Sequence, residues 1–202
     1  MDLSAAAERI EALAGERVLV ALAGPPGAGK STAAAALVSR LPSAAVLAMD
    51  GFHFDDAVLH ARGLRPRKGA PETFDVGGLA HMMDRLRANR EEEVAVPVFD
   101  RDLEVSRGSA AIIPRSVRVV LVEGNWLLLN RAPWDALRRR FDLSLWLDVP
   151  MDELERRLRQ RWEGYGLEGE AMAAKMDGND LPNARDAVEN SGPADLTLRW
   201  RP

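Results

Sequence analysis

Apolar positions along this chain fall into short runs separated by stretches with helical spacing. Val18–Ala23 (Val-Leu-Val-Ala-Leu-Ala), Ala44–Met49, Val117–Val122 and Leu143–Leu147 are apolar with little alternation, the pattern of strands covered on both faces. A last run lies near Leu196–Trp200, and Val94–Phe99 and Ala110–Ile113 read as shorter strands. Between the runs the spacing is helical. Residues 4–14 carry Ile10 and Leu13 with Ser4 as the expected cap, and 76–89 carry Leu79, Met82, Met83 and Leu86. Further helices are predicted over 32–38, 132–140, 151–162, 168–176 and 181–190. Residues 61–72 are basic and broken by Gly and Pro, which predicts a loop. Strands alternating with helices predict an α/β fold, a mainly parallel sheet with helices on both faces.

The join between the first strand and its helix carries the strongest chemical signal. Residues 24–31 read Gly-Pro-Pro-Gly-Ala-Gly-Lys-Ser, which is G-x-x-x-x-G-K-[ST]. Strand, loop and helix in that order are the context the motif requires. Gly24, Gly27 and Gly29 let the backbone curl so that successive N–H groups point at phosphate oxygens, with Pro25, Pro26 and Ala28 between them. Lys30 places a positive charge on the β- and γ-phosphates, the Ser31 hydroxyl is a Mg²⁺ ligand, and Thr32 continues into a helix whose N-terminus favours anions. The fold class becomes a P-loop NTPase three-layer sandwich, with ATP and Mg²⁺ as the expected cofactors.

In such sheets the site lies beyond the carboxyl ends of the strands, where three acidic residues end apolar runs. Asp50, before Gly51, is either a base that accepts a proton from an attacking hydroxyl or an ordinary Asp-Gly turn, and the neighbouring phosphate loop favours the base. Gly51 would permit a sharp turn. Glu123, after Val119-Val120-Leu121-Val122 and before Gly124, is preferred over Asp148 as the acid near the metal, because Gly124 allows close backbone approach. Asp148 is then a helix cap or a structural acid on the nucleotide side. Arg156, Arg157, Arg159 and Arg161 share a helix with the apolar stripe Leu154, Leu158, Trp162. Arg157 and Arg161 lie on one face and either reach over the triphosphate or form a solvated basic surface. Gly164, Gly166 and Gly169 suit a lid over about 156–178. The loop bearing Arg62, Arg65, Arg67 and Lys68 either grips an anionic or polyhydroxylated substrate or is solvated. His53 is a substrate contact or a packed histidine. Trp126, Trp134 and Trp146 are expected in the core.

Composition narrows the class. The chain has 202 residues, 47% of them hydrophobic, enough for one α/β domain over 1–202 with a substrate loop at about 51–75. A net charge of −4 speaks against a general nucleic-acid binder, and the absence of cysteine excludes disulfides and thiolate zinc sites. The start, Met1-Asp2-Leu3-Ser4, lacks the basic, apolar pattern of a signal peptide, and no run is long enough to span a membrane. The expected protein is cytoplasmic, with a small-molecule substrate as partner, no nucleic acid or membrane, and room for a homodimer.

Gly24–Thr32, Met49-Asp50-Gly51-Phe52-His53 and Val122-Glu123-Gly124 resemble the superfamily of phosphoribulokinase, uridine kinase and bacterial pantothenate kinase. Residues 62–75, 123–129 (Glu-Gly-Asn-Trp-Leu-Leu-Leu) and 179–183 (Asn-Asp-Leu-Pro-Asn) are similar to its bacterial branch of nucleoside/nucleotide-kinase-like, fructose-transport-associated kinases. The resemblance runs over nearly the whole chain from residue 16. It implies ATP-dependent phosphorylation of a small-molecule hydroxyl, most readily on a sugar-like compound. It assigns Asp50 as catalytic base, Lys30 as phosphate lysine, Ser31 as metal ligand and Glu123 as the acid near metal and substrate. It further places Arg157 and Arg161 as lid arginines, Asn183 near the adenine, and Asp100 and Arg101 on a substrate-side hairpin. Gly51, Phe52 and His53 stand where uridine kinases have Ser, Phe and Tyr, and nothing near 97–106 matches their nucleoside-binding stretch. A nucleoside or pantothenate kinase is the alternative within the class. An ATP-switched regulator or chaperone is the alternative outside it.

Overall fold

The computed structural model describes residues 2–200, so Met1, Arg201 and Pro202, at the ends of the expected domain, lie outside the described residues. Five strands form one parallel sheet: β1 (Val18–Ala23), β2 (Ala44–Ala48), β5 (Val119–Gly124), β6 (Leu143–Asp148) and β7 (Leu196–Arg199). Their spatial order is β2-β5-β1-β6-β7, and β3 (Glu93–Asp100) pairs with β4 (Val105–Pro114) in a separate antiparallel hairpin. The helices are α1 (Leu3–Glu11), α2 (Lys30–Val38), α3 (Asp56–Ala61), α4 (Val76–Ala88), α5 (Met151–Gly164), α6 (Gly169–Lys175) and α7 (Leu181–Asn190).

The period of two explains the unbroken apolar runs. Leu19, Ala21 and Ala23 of β1 and Val120 and Val122 of β5 face a core built with Leu79, Met83 and Leu86 of α4 and with Trp126 and Trp134. Val18, Val20 and Leu22, with Val119 and Leu121, face the opposite core, built with Ala6 and Ile10 of α1, Ala33, Ala34 and Leu37 of α2, and Leu154 of α5. Both sheet faces are covered, so every position in β1 is buried. The same parity turns Glu123 toward the α2 face. Register aligns Glu123 with Ala48 of β2 and Leu22 of β1, so the carboxyl ends of three neighbouring strands open at one level.

Several expectations shift. The first helix is capped by Asp2, whose carboxylate accepts from the Ser4 N–H, and Ser4 lies inside the helix. Residues 134–140 form a 3₁₀ helix, not an α-helix; three residues per turn put Trp134 and Leu137 on one buried side. Helix α3 stands where only loop is apparent from sequence: six residues bury Leu59 alone, too few for a periodic signal. The predicted helix 168–176 ends at Lys175 and passes into a π-helical turn, Met176–Asp180, which buries Met176, Asn179 and Asp180. No described helix is long and apolar enough to cross a membrane.

Candidate active site

The phosphate loop leaves β1 and enters α2 with Gly27 and Gly29 at positive φ (82° and 88°), conformations that side chains rarely tolerate. Gly29 caps α2 without a side chain, which leaves the first-turn N–H groups free for an anion. Lys30 is buried, and its Nζ donates to the Pro25 carbonyl at 3.0 Å. Burial lowers its pKa, while Glu123 and Asp50 nearby act in the opposite sense.

Two carboxylates stand opposite the loop. Glu123, on the α2 face of β5, is buried beside Lys30 and lines the same cavity as Ser31. Burial pushes its carboxyl above the usual range, and Lys30 only partly offsets that. A hydroxyl and a carboxylate lining one cavity are hard oxygen donors, and a buried carboxylate short of positive charge suits a divalent cation. Among the described residues no cluster of three or more His, Asp or Glu could hold a metal by itself. Ser31 and Glu123 therefore fit Mg²⁺ of the kind that completes its shell with phosphate oxygens and water. Asp50 lies in a 3₁₀ turn, Met49–Phe52, directly after β2. Its carboxylate accepts from Arg101 at 2.9 Å. Arg101 comes from the tip of the β3–β4 hairpin, which packs on this turn so tightly that a Cβ on Gly51 would lie 2.6 Å from the Pro97 carbonyl oxygen. Pro97 marks a register shift in the hairpin, tolerated because a bulge needs no ladder N–H there.

His53 Nδ1 lies 2.8 Å from the Asp50 carbonyl oxygen. Since a carbonyl can only accept, Nδ1 carries the proton and Nε2 is left as an acceptor. The ring sits between Phe74 (4.0 Å between centroids) and Phe99 (4.7 Å), and burial lowers its pKa, so the imidazole is neutral near pH 7. Lys68 is buried; its Nζ donates to Asp56 at 2.6 Å and to the Glu104 carbonyl, over the face of Phe99. Trp126 and Trp134 are core residues as expected, and their indole N–H groups also donate to the Gly69 and Pro71 carbonyls, which pins the basic loop to the core.

One cavity of about 350 Å³ joins these groups. Pro26, Gly27, Gly29, Lys30, Ser31, Thr32, Arg157 and Arg161 line one part of it, and Asp50, His53, Lys68, Arg101 and Glu123 continue it. Arg157 reaches the loop carbonyls of Gly27 and Ala28 at 3.4 and 3.3 Å while its Nε donates to Glu153 at 2.7 Å. Asn183 lines the cavity from α7.

Some expected site residues fall elsewhere. Asp100 is outside the cavity: its carboxylate accepts from the N–H groups of Asp102 and Leu103 and from Arg107, holding the hairpin turn. Arg62 lies over the ring of Phe54, outside the cavity lining. Arg67 does not line the cavity either and instead donates to Gly178 and Asn183. Arg156 is held by Glu153. Asp148 neither caps α5, whose cap is Pro150, nor lines the cavity; it faces Arg199 at 3.8 Å. Gly51 has no positive φ, so its lack of a side chain serves the hairpin's approach and not a special turn. Phe74, Phe99, Glu104, Asn125 and Lys175 line the cavity without having been singled out from the sequence. Phe74 and Asn125 lie in segments that carry the family resemblance, Phe99 ends a predicted strand and Lys175 lies in the expected lid, whereas Glu104 carries no sequence signal.

The family model described as "AAA domain" matches residues 19–178. The crystal structure of a "putative fructose transport system kinase" from Silicibacter sp. TM1040 is 44% identical, with a TM-score of 0.89 over 98% of this chain and 99% of that one. YggC of Escherichia coli K12 is 38% identical over 90% of this chain and 77% of its own length. A "putative uridine kinase" of Schizosaccharomyces pombe is 30% identical over 91% of this chain and 83% of its own. The chain belongs to the P-loop kinases that the AAA-domain model and its uridine-kinase-like relatives define.

Proposed function

We propose that this P-loop kinase transfers the γ-phosphoryl group of ATP to a hydroxyl of a small metabolite, a sugar or sugar-like compound, with Asp50 as the base. The observation that carries the reading is the one cavity that joins the phosphate loop after β1 to the carboxylate after β2, two strands across the sheet. The N–H groups of Gly27–Thr32 wrap the triphosphate, and Lys30 exchanges its bond to the Pro25 carbonyl for phosphate oxygens. Ser31 and Glu123 would hold Mg²⁺, which when bound neutralises charge on the phosphates. Asp50 accepts the proton of the acceptor hydroxyl as its oxygen attacks phosphorus in line. Arg101 keeps that carboxylate oriented, and Lys30, Arg157 and Arg161 stabilise the charge on the transferring group. His53 Nε2 accepts a second hydroxyl of the same substrate against the Phe99 ring. The segment over about 156–178 serves as the lid, within one kinase domain.

The sugar-like acceptor is supported by the neutral imidazole acceptor beside an aromatic face and by the 44% identical structure named for fructose transport. The test is a panel of sugars, nucleosides, pantothenate and sugar phosphates, each incubated with Mg²⁺ and ATP. Stimulation of ADP formation by a hydroxyl compound, strongest among the sugars, is expected. Basal hydrolysis that no compound stimulates would favour an ATP-switched regulator.

A further inference from the structure

Arg67 was expected on the substrate, yet it is spent elsewhere. Its guanidinium donates to the Gly178 carbonyl at 2.9 Å and to Asn183 Oδ1 at 3.2 Å. Asn183 Nδ2 donates to Asn179 Oδ1 at 3.1 Å, and Asn179 Nδ2 donates to the Lys68 carbonyl at 2.9 Å. The chain of bonds starts on the basic loop, crosses to the π-helical turn and α7, and returns to the basic loop one residue later. Both asparagines are buried, 4% and 3% exposed, and both line the cavity. Their amide orientations are thereby assigned: each donates on one side and accepts on the other. The π-helical turn supplies the geometry, since its wider turn buries Asn179 and Asp180 side by side, and Asp180 is held by the Trp162 indole N–H. The next residue along the basic loop, Lys68, is fixed at both ends, by Asn179 at its carbonyl and by Asp56 at its ammonium.

We infer that Arg67 is a positioning residue that couples the two ends of the cavity: ordering Met176–Asn183 on nucleotide binding orders residues 65–70, which carry Lys68 at the acceptor end. The inference rests on the nucleotide reading of the cavity above. The coupling is reciprocal, so an acceptor held by the basic loop also tightens nucleotide binding. Loss of Arg67 removes two of the four bonds of the bridge and touches neither substrate directly.

Amide hydrogen exchange of the full chain with and without the ATP analogue AMPPNP and Mg²⁺ tests it. In the wild-type protein the analogue slows exchange at 24–32, at 176–183 and at 65–70, the last by about fivefold or more. In Arg67→Ala the slowing persists at 24–32 and falls below about twofold at 65–70. Thermal unfolding checks that the variant is folded. If it is not, Arg67→Gln, which cannot bridge both acceptors, carries the same test. Loop protection that survives in the variant, or that is missing from the wild type while 24–32 is protected, overturns the coupling alone. Absence of protection at 24–32 in the wild type overturns the nucleotide reading itself.

Discussion

Gly124 shows what one missing side chain does in this site. A Cβ there would lie 2.5 Å from the Cβ of Met49, the residue before Asp50. Met49 is fully buried and cannot move aside, so Gly124→Ala displaces the turn that carries Asp50. We expect it to destabilise the fold by about 1–3 kcal/mol in denaturant titration, with a larger proportional loss of turnover than of nucleotide affinity. The need for glycine at 124 was legible, because it follows an acid at a strand end. The reason for Gly51 was not: it is a contact with Pro97, almost fifty residues away in sequence, and no local pattern encodes that. Arg67 and Asp100 illustrate the same limit. Their charge and loop position suggest substrate contacts, but each is satisfied by protein partners that only the folded chain supplies.

At the scale of elements, α5 presents its arginines differently from one another. Glu153, in its first turn, accepts from both Arg156 and Arg157, and these bonds lower its pKa from 4.5 to about 2. The ion pair holds Arg157 against the phosphate loop, where its guanidinium meets the Gly27 and Ala28 carbonyls. Glu153→Gln is expected to weaken nucleotide binding several-fold, read by titration with AMPPNP, while Arg156→Ala leaves it nearly unchanged. The depressed pKa also has a sign. The pairing is fully present above pH 4.5, neutrality included, and is lost as pH falls toward about 2, so it makes stability depend on pH only in acid. The helix and its arginine spacing were readable from the Leu154, Leu158, Trp162 stripe. Arg157 rather than Arg156 was readable too, from its shared face with Arg161; what was not is its seat on the loop carbonyls, which depends on where α5 crosses Gly27, whose missing Cβ would sit 3.1 Å from Leu158. The short α3 lacked a signal for a different reason, since one buried residue makes no period, and over 134–140 the helix was readable but not its 3₁₀ winding.

Across the whole molecule, the parallel sheet and its two cores follow from the apolar runs, since strands covered on both faces leave no polar alternation to misread. What the runs do not reveal is the strand order, which brings the ends of β2, β5 and β1 together and makes three distant segments one site. The β3–β4 hairpin closes that site from outside the sheet. Its packing half-buries His53 against Phe99, and the stability of the fold should report this. The His53 pKa is lowered below 6.5, so stability is highest above that pH and declines as pH falls toward the lower folded value, where the half-buried ring must charge. His53→Gln should flatten the slope of the denaturation midpoint between about pH 7 and 5. The central claim is that Asp50 turns a nucleotide site into a transfer site. The most direct measurement is acceptor-dependent ADP formation by Asp50→Asn and wild-type protein, with AMPPNP affinity determined on the same samples. A fall in turnover of about 10²–10⁴ with affinity nearly unchanged is the predicted result; wild-type turnover in the variant would contradict it.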